Sequence, residues 1–70
     1  MEIDFKNNKI AEFRSAQSMS QRRLAKELGT SQANLSRWER GTTVPSALEC
    51  WKIADYFDVS MDVICGRKEY

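Results

Sequence analysis

The stretch SQANLSRWERG, residues 31–41, combines hydrogen-bonding and cationic side chains with a thin apolar edge. On a helical wheel of about 100° per residue, Leu35 and Trp38 share one edge and a polar set lies opposite. This outward set consists of Gln32, Ala33, Ser36, Arg37 and Arg40. The set suits the major groove of DNA, because glutamine can pair with adenine, arginine with guanine, and alanine can contact the thymine methyl group. A helix face that is merely solvated more often carries Glu and Lys four residues apart.

The composition restricts the chemistry that the rest of the chain could perform. Seventy residues make one small domain with a modest core. Histidine is absent from the sequence and Cys50 and Cys65 form no CxxC pair, so we expect no metal, no cofactor and two reduced thiols with packing roles. The sequence has no nucleophile and base close together and no phosphate-cradling glycine loop, so an enzyme is not expected.

The charge of the chain is unevenly distributed, although the net charge is only +1. Residues 1–44 carry 8 basic and 5 acidic side chains, whereas residues 45–70 carry 3 basic and 5 acidic side chains. A basic front half can give a local basic face for nucleic acid without a high pI, but ordinary solvated charge gives the same counts. No run approaches the roughly 20 apolar residues of a membrane helix, and the first residues lack the pattern of a signal peptide.

Three helices are predicted in the first part of the chain, and capping residues define the second and third. Ser20 is a good N-cap and Gly29 a good stop for the second helix, and Ser31 and Gly41 play the same parts for the third. The predicted bounds are residues 8–17, 21–28 and 32–40.

Two further helices are predicted after the loop TTVP. Residues 46–49 form an S-x-x-E capping box that begins the fourth helix, and Ser60 caps a short fifth helix. The fourth helix is predicted to turn inward Ala47, Cys50, Trp51, Ala54 and Phe57. The fifth is predicted to turn inward Met61, Ile64 and Cys65. Five helices without a strand signal predict an all-α, compact five-helix bundle.

The second and third helices are joined so tightly that their crossing is constrained. Three residues, 29–31, link them, and so short a link forces a sharp angle between the helices. A close crossing needs a small side chain, which Ala25 supplies opposite Leu35. Glycine in the turn and alanine at the crossing are the pattern of a helix-turn-helix.

Residues 10–66 resemble the phage repressor and Cro-like family of helix-turn-helix domains, the XRE family. The resemblance is carried by IAEFR, MSQRRLAKELGTSQANLSRWERG and VPSALECWKIADYFDVSMDVICG, which match without a gap. It implies a lambda-repressor-like DNA-binding fold in a single domain over residues 1–70, with the helix-turn-helix at residues 21–40. It further implies a sequence-specific transcriptional regulator of phage or bacterial origin, with repression the expected direction.

The resemblance also implies roles for individual residues on DNA. The implied base-reading residues are Gln32, Ala33, Ser36 and Arg37. The implied phosphate-binding residues are Gln21, Arg22, Asn34, Arg40, Thr42 and Thr43. In similar proteins the residue at Gln21 also steadies the one at Gln32, which reads adenine. For Arg37 a guanine edge and a phosphate both stay open, and for Arg22 a purely solvated role is an equal alternative.

Glu39 lies close to the apolar edge of the third helix, where a carboxylate needs a partner. The family offers an arginine late in the first helix, so the resemblance implies a structural ion pair between Arg14 and Glu39. The sequence departs from the family at Ser18, where glycine is common. It also has Thr42 and Thr43 where lysine or arginine often stands, which implies a shallower dependence of DNA binding on salt.

The resemblance implies a homodimer on a pseudo-palindromic double-stranded operator, with half-sites about 34–36 Å apart. The dimer contact that it implies involves Met61, Val63 and Cys65. No small-molecule ligand and no membrane contact is expected, and the expected location is cytoplasmic. An alternative is a protein-interaction module of the same fold, such as an antitoxin or accessory factor. That alternative should show a wide apolar patch in place of the polar outer face of the third helix.

Overall fold

The computed structural model describes residues 8–64, which form five α-helices and contain no strand. The helices are α1 (Ile10–Ala16), α2 (Gln21–Leu28), α3 (Gln32–Arg40), α4 (Ala47–Phe57) and α5 (Met61–Ile64). The predicted all-α, five-helix fold is therefore confirmed. The predicted bounds of α2 and α3 agree with the structure residue for residue.

Side-chain caps and left-handed glycines explain why α2 and α3 begin and end where they do. The hydroxyl of Ser20 accepts a hydrogen bond from the backbone N–H of Arg23 at the start of α2. Gly29 then ends the helix at a φ of 74°, a left-handed conformation that glycine adopts without steric cost. The same two features define α3, which begins after the N-cap Ser31 and ends at Gly41, where φ is 73°.

The start of α1 differs from the prediction, because Asn8 does not join the helix. The Asn8 amide oxygen accepts a hydrogen bond from the backbone N–H of Ile10, at 3.0 Å. Its Nδ2 donates to the backbone carbonyl of Trp38, at 2.9 Å. These two bonds hold Asn8 against the C-terminal end of α3, and the helix begins two residues later than predicted, at Ile10.

The core joins all five helices around large aliphatic side chains. Its fully buried members are Ile10, Leu24, Leu35, Ile53 and Ile64. Trp38 is 5% exposed, which confirms the prediction that it anchors α3 in the core. Burying each such side chain stabilises the fold by about 1.5–3 kcal/mol.

The predicted inward faces of the last two helices need correction. In α4 the buried residues are Cys50, Ile53, Ala54 and Phe57. The prediction for Trp51 was wrong, since 56% of it is exposed, and Ala47 is exposed as well. The helix is rotated so that Ile53 takes the core position, which completes an i, i+3, i+4, i+7 stripe from Cys50.

In α5 the prediction that Met61 points inward was also wrong. Met61 is 36% exposed, and Val63 and Ile64 are buried instead. Four residues make barely one turn of helix, so the side that faces the core is set by the packing of α5 against α4. Cys65, the third residue predicted inward, lies outside the described residues. Across residues 8–64, every helix is too short or too polar to cross a bilayer.

Candidate nucleic-acid interface

The turn between α2 and α3 is closed by backbone hydrogen bonds that fix the direction of α3. The backbone N–H of Thr30 donates to the carbonyl of Ala25 at 2.9 Å, and that of Gly29 donates to Lys26 at 3.2 Å. This pair of bonds is a Schellman motif, with Gly29 in the left-handed position. Ala25 is 2% exposed and Leu35 is fully buried, so the two helices meet at a small residue, as the helix-turn-helix pattern requires.

The outer face of α3 forms one side of a shallow concavity. The residues that line this concavity, called here the recognition surface, are Gln21, Gln32, Ala33, Ser36, Arg37 and Arg40. Ser36 is half-buried, whereas the other α3 members are exposed. The structure thus brings the four predicted base-reading residues together on one surface. It also places Gln21, from the first turn of α2, at the edge of that surface.

Arg37 is held on α3 by a short series of side-chain hydrogen bonds. Its Nη1 donates to Asn34 Oδ1 at 3.1 Å, and Asn34 Nδ2 donates to the hydroxyl of Thr30 at 3.3 Å. Thr30 precedes α3, Asn34 lies in its first turn and Arg37 in its last. A guanidinium has five N–H donors, so one bond to Asn34 leaves donors for a planar acceptor such as the guanine edge or a phosphate.

Beneath the recognition surface, Glu39 joins α3 to α1 and α2. Arg14 Nε lies 2.6 Å from Glu39 Oε2, and Arg14 Nη2 lies 3.0 Å from Oε1. The ion pair is therefore bidentate, and the Glu39 side chain is only 6% exposed. The hydrogen bond and charge of Glu39 raise the pKa of Arg14 above its ordinary value. A third Arg14 nitrogen, Nη1, donates to the backbone carbonyl of Met19 at 2.8 Å.

One contact of Glu39 is not indicated by the sequence pattern. Gln21 Nε2 donates to Glu39 Oε1 at 2.9 Å, so this carboxylate oxygen accepts from both α1 and α2. The resemblance assigned Gln21 to phosphate and to Gln32, and neither role suggests a partner buried behind it. The closeness of Glu39 to the apolar edge was the signal that it needs donors, but spacing alone could not identify Gln21 as one of them.

The loop after α3 contains Thr42 and Thr43, two of the residues predicted to bind phosphate. The backbone N–H of Thr42 donates to the carbonyl of Arg37 at 2.9 Å, because it completes the end of α3. Thr42 therefore offers a phosphate its hydroxyl. Thr43, Arg22 and Arg40 are exposed and open to an approaching phosphate.

The described residues contain no cluster of candidate metal ligands. Cys50 is buried in α4, in agreement with its predicted packing role.

Comparison with known proteins identifies the family. A helix-turn-helix family model, HTH_3, matches residues 10–64. The chain belongs to this family. HTH_3 proteins are transcriptional regulators of the XRE type without enzymatic activity, in agreement with the sequence-based expectation.

Two known transcriptional regulators are similar to this chain at moderate sequence identity. The cryptic phage CTXphi transcriptional repressor RstR of Vibrio cholerae is 34% identical over 59 residues, which is 84% of this chain and 53% of RstR. The HTH-type transcriptional activator BcrR of Enterococcus faecalis is 31% identical over 65 residues, which is 90% of this chain and 31% of BcrR. The chain thus spans about half the length of RstR and about a third of BcrR.

Proposed function

We propose that this HTH_3 domain binds double-stranded DNA in a sequence-specific manner and acts as a transcriptional regulator. The observation that carries the proposal is the recognition surface, where hydrogen-bonding and cationic side chains stand together on the outer face of α3. An α-helix of this kind fits the width of the major groove. The fully buried Leu35 and the nearly buried Trp38 hold the opposite side of the same helix.

On DNA, α3 lies in the major groove and its residues divide into two groups. We assign base reading to Gln32, Ala33, Ser36 and Arg37. Gln32 pairs with adenine, Arg37 with guanine, and Ala33 approaches a thymine methyl group. We assign phosphate contacts to Gln21, Arg22, Asn34, Arg40, Thr42 and Thr43. For Asn34 the bond to Arg37 adds a second role, since it limits the directions in which that guanidinium can reach.

Repression is the proposed direction of regulation. The relative that the chain covers more fully, RstR, is named a phage repressor, whereas BcrR is named an activator. A reporter gene placed under a promoter that contains the selected operator tests this direction. Repression predicts lower reporter output when the protein is expressed, and higher output would assign activation instead.

We further propose a homodimer on a pseudo-palindromic operator, located in the cytoplasm. A dimer would place two α3 helices in successive major grooves, about 34–36 Å apart. Of the residues assigned to the dimer contact, Met61 is 36% exposed and available to a partner. Val63 is only 8% exposed, so most of its surface already packs within the subunit. Cys65 lies outside the described residues.

A second candidate, a protein-interaction module, is favoured by exposed apolar side chains on α4 and the loop before it. Val44, Leu48 and Trp51 are 66%, 62% and 56% exposed. Exposed apolar groups of this size often mark contacts with another protein. They do not belong to the recognition surface, so a protein contact there is compatible with DNA binding by α3.

Selection from a random duplex pool tests the proposed function. The purified chain is expected to enrich an inverted repeat with half-sites one helical turn apart. Replacing Gln32 with Ala should remove the preference at one position of each half-site. Replacing Lys52 with Ala is the matched control, because Lys52 is exposed on α4 and lies outside the recognition surface. Enrichment of no motif would contradict DNA reading and favour the protein-interaction candidate.

A further inference from the structure

The bond between Gln21 and Glu39 fixes which way the Gln21 amide points. Glu39 is paired with a guanidinium and is therefore an ionised carboxylate, which can only accept hydrogen bonds. A glutamine amide has a donor end and an acceptor end. Only the donor end can face Glu39, and Gln21 Nε2 indeed lies 2.9 Å from Glu39 Oε1. The Gln21 oxygen is consequently directed away from Glu39.

Gln21 itself lies at the edge of the recognition surface. Gln21 and Gln32 line the same concavity, so their amides can meet when DNA is bound. When the Gln21 oxygen makes this contact, Gln32 must present its nitrogen, because an amide oxygen accepts but does not donate. The polarity of one amide thereby determines the polarity of the other.

We propose that Glu39 is a positioning residue for base reading, which acts through Gln21 on Gln32. This proposal rests on the DNA-binding function proposed above. One N–H of Gln32 donates to the Gln21 oxygen, and the second donates to N7 of adenine. The Gln32 oxygen then accepts from the exocyclic amine of adenine. Guanine offers two acceptors at the same edge, so an amide of either polarity sets its oxygen against one of them, whereas adenine is matched only by the polarity described here. The preference for adenine over guanine therefore reports the polarity that Glu39 imposes.

Two substitutions of the ion pair separate positioning from stability. Glu39→Gln replaces the obligatory acceptor with an amide that can present either end, so Gln21 is free to reverse. Arg14→Lys weakens the bidentate pair but keeps a cation beside an ionised Glu39, so Gln21 stays oriented. Both variants lose contacts between α1 and α3, but only Glu39→Gln loses the fixed orientation of the Gln21 amide.

The first assay uses half-sites that differ only at the position where Gln32→Ala abolishes the base preference. Each of the four base pairs is placed at that position, and the affinity for each half-site is measured. In the unsubstituted chain and in Arg14→Lys, adenine should be preferred to guanine by about the margin of a bidentate contact, tenfold or more. In Glu39→Gln this ratio should fall about tenfold at that position, with the other positions unchanged. Measurements are made at a temperature at which circular dichroism shows all variants folded.

The second assay needs no DNA. In ¹H–¹⁵N spectra, the Gln21 side-chain amide pair is assigned by its loss in Gln21→Ala. One of its two protons should be shifted downfield and slow to exchange in the unsubstituted chain and in Arg14→Lys, and both features should disappear in Glu39→Gln.

The proposal is overturned by an unchanged adenine preference in Glu39→Gln, by an equal loss at every position, or by the same loss in Arg14→Lys. It is also overturned if the Gln21 amide signals do not respond to Glu39→Gln. If the unsubstituted chain selects no motif, the proposed function fails and this proposal fails with it. A clear motif with an unchanged Glu39→Gln preference would overturn this proposal alone.

Discussion

Replacing Arg14 with Met should be among the most damaging single changes outside the apolar core. The Glu39 side chain is 6% exposed and would lose the bidentate guanidinium, keeping Gln21 as its donor. Removing one partner of a buried ion pair costs about 3–5 kcal/mol. Arg14 is 19% exposed and Gln21 remains, so we expect the lower end, about 3 kcal/mol. In a domain of this size that lowers Tm by about 12–24 °C.

The double variant Arg14→Met with Glu39→Met separates the burial of an unpaired charge from the loss of the pair. Replacing both charges with apolar side chains of similar volume is often nearly neutral. Both variants lose the Arg14 bond to the Met19 carbonyl, but only the double variant also loses the Gln21 bond to Glu39, which costs about 1 kcal/mol. The double variant should therefore be about 2 kcal/mol more stable than the single variant.

Urea unfolding followed by circular dichroism at neutral pH measures these free energies, with a shared m-value as the check on two-state behaviour. Lys9→Met is the matched control, because Lys9 forms a 3.7 Å ion pair with Glu12 whose side chains are 34% and 73% exposed. That change should cost less than about 1 kcal/mol. If the double variant is as unstable as Arg14→Met, or Arg14→Met behaves like the control, the reasoning about the buried carboxylate is refuted.

Three further changes test the turns and the electrostatics. Ser18 has a φ of 56°, so Ser18→Gly should raise the free energy of unfolding by up to about 1 kcal/mol. A lower free energy of unfolding, measured in urea, would contradict this expectation. Gly29 has a φ of 74° with nothing within 4 Å of an added Cβ, so Gly29→Ala should cost about 1–2 kcal/mol from backbone conformation alone, and a neutral result would contradict it. Thr43→Lys should steepen the slope of log affinity against log salt by about 0.9, the value of one phosphate contact, and an unchanged slope would place Thr43 away from DNA.

The bounds of α2 and α3 could be predicted because their signals are local. Ser20 and Ser31 cap the helices through their own side chains, and Gly29 and Gly41 end them through their backbone conformation. Neither device depends on what the helix packs against. The turn between the helices follows in the same way from three consecutive residues.

The faces of α4 and the start of α1 could not be predicted as well, because tertiary contacts decide them. Trp51 and Ile53 are both apolar, and only the packing of α4 in the bundle turns Ile53 inward and leaves Trp51 exposed. Asn8 looked like the start of a helix, but a bond to the carbonyl of Trp38, thirty residues away, holds it outside.

In the candidate site, too, some features follow from local sequence and others depend on tertiary contacts. The outward set on α3 follows from the helical period, and the structure assembles it on one surface with Gln21. The Arg14–Glu39 pair was implied by the family resemblance, and the structure contains it. The bond from Gln21 to Glu39 joins residues eighteen positions apart on helices whose angle only the fold determines.

Methylation interference on the selected operator tests whether the outer face of α3 reads base edges in the major groove. Methyl groups at guanine N7 lie in the major groove, whereas those at adenine N3 lie in the minor groove. We expect N7 methylation at one guanine of each half-site to block binding, and Arg37→Ala to remove this effect at that guanine. Interference confined to adenine N3 would contradict major-groove reading by α3, and N7 interference that Arg37→Ala leaves intact would contradict the assignment of Arg37 to guanine.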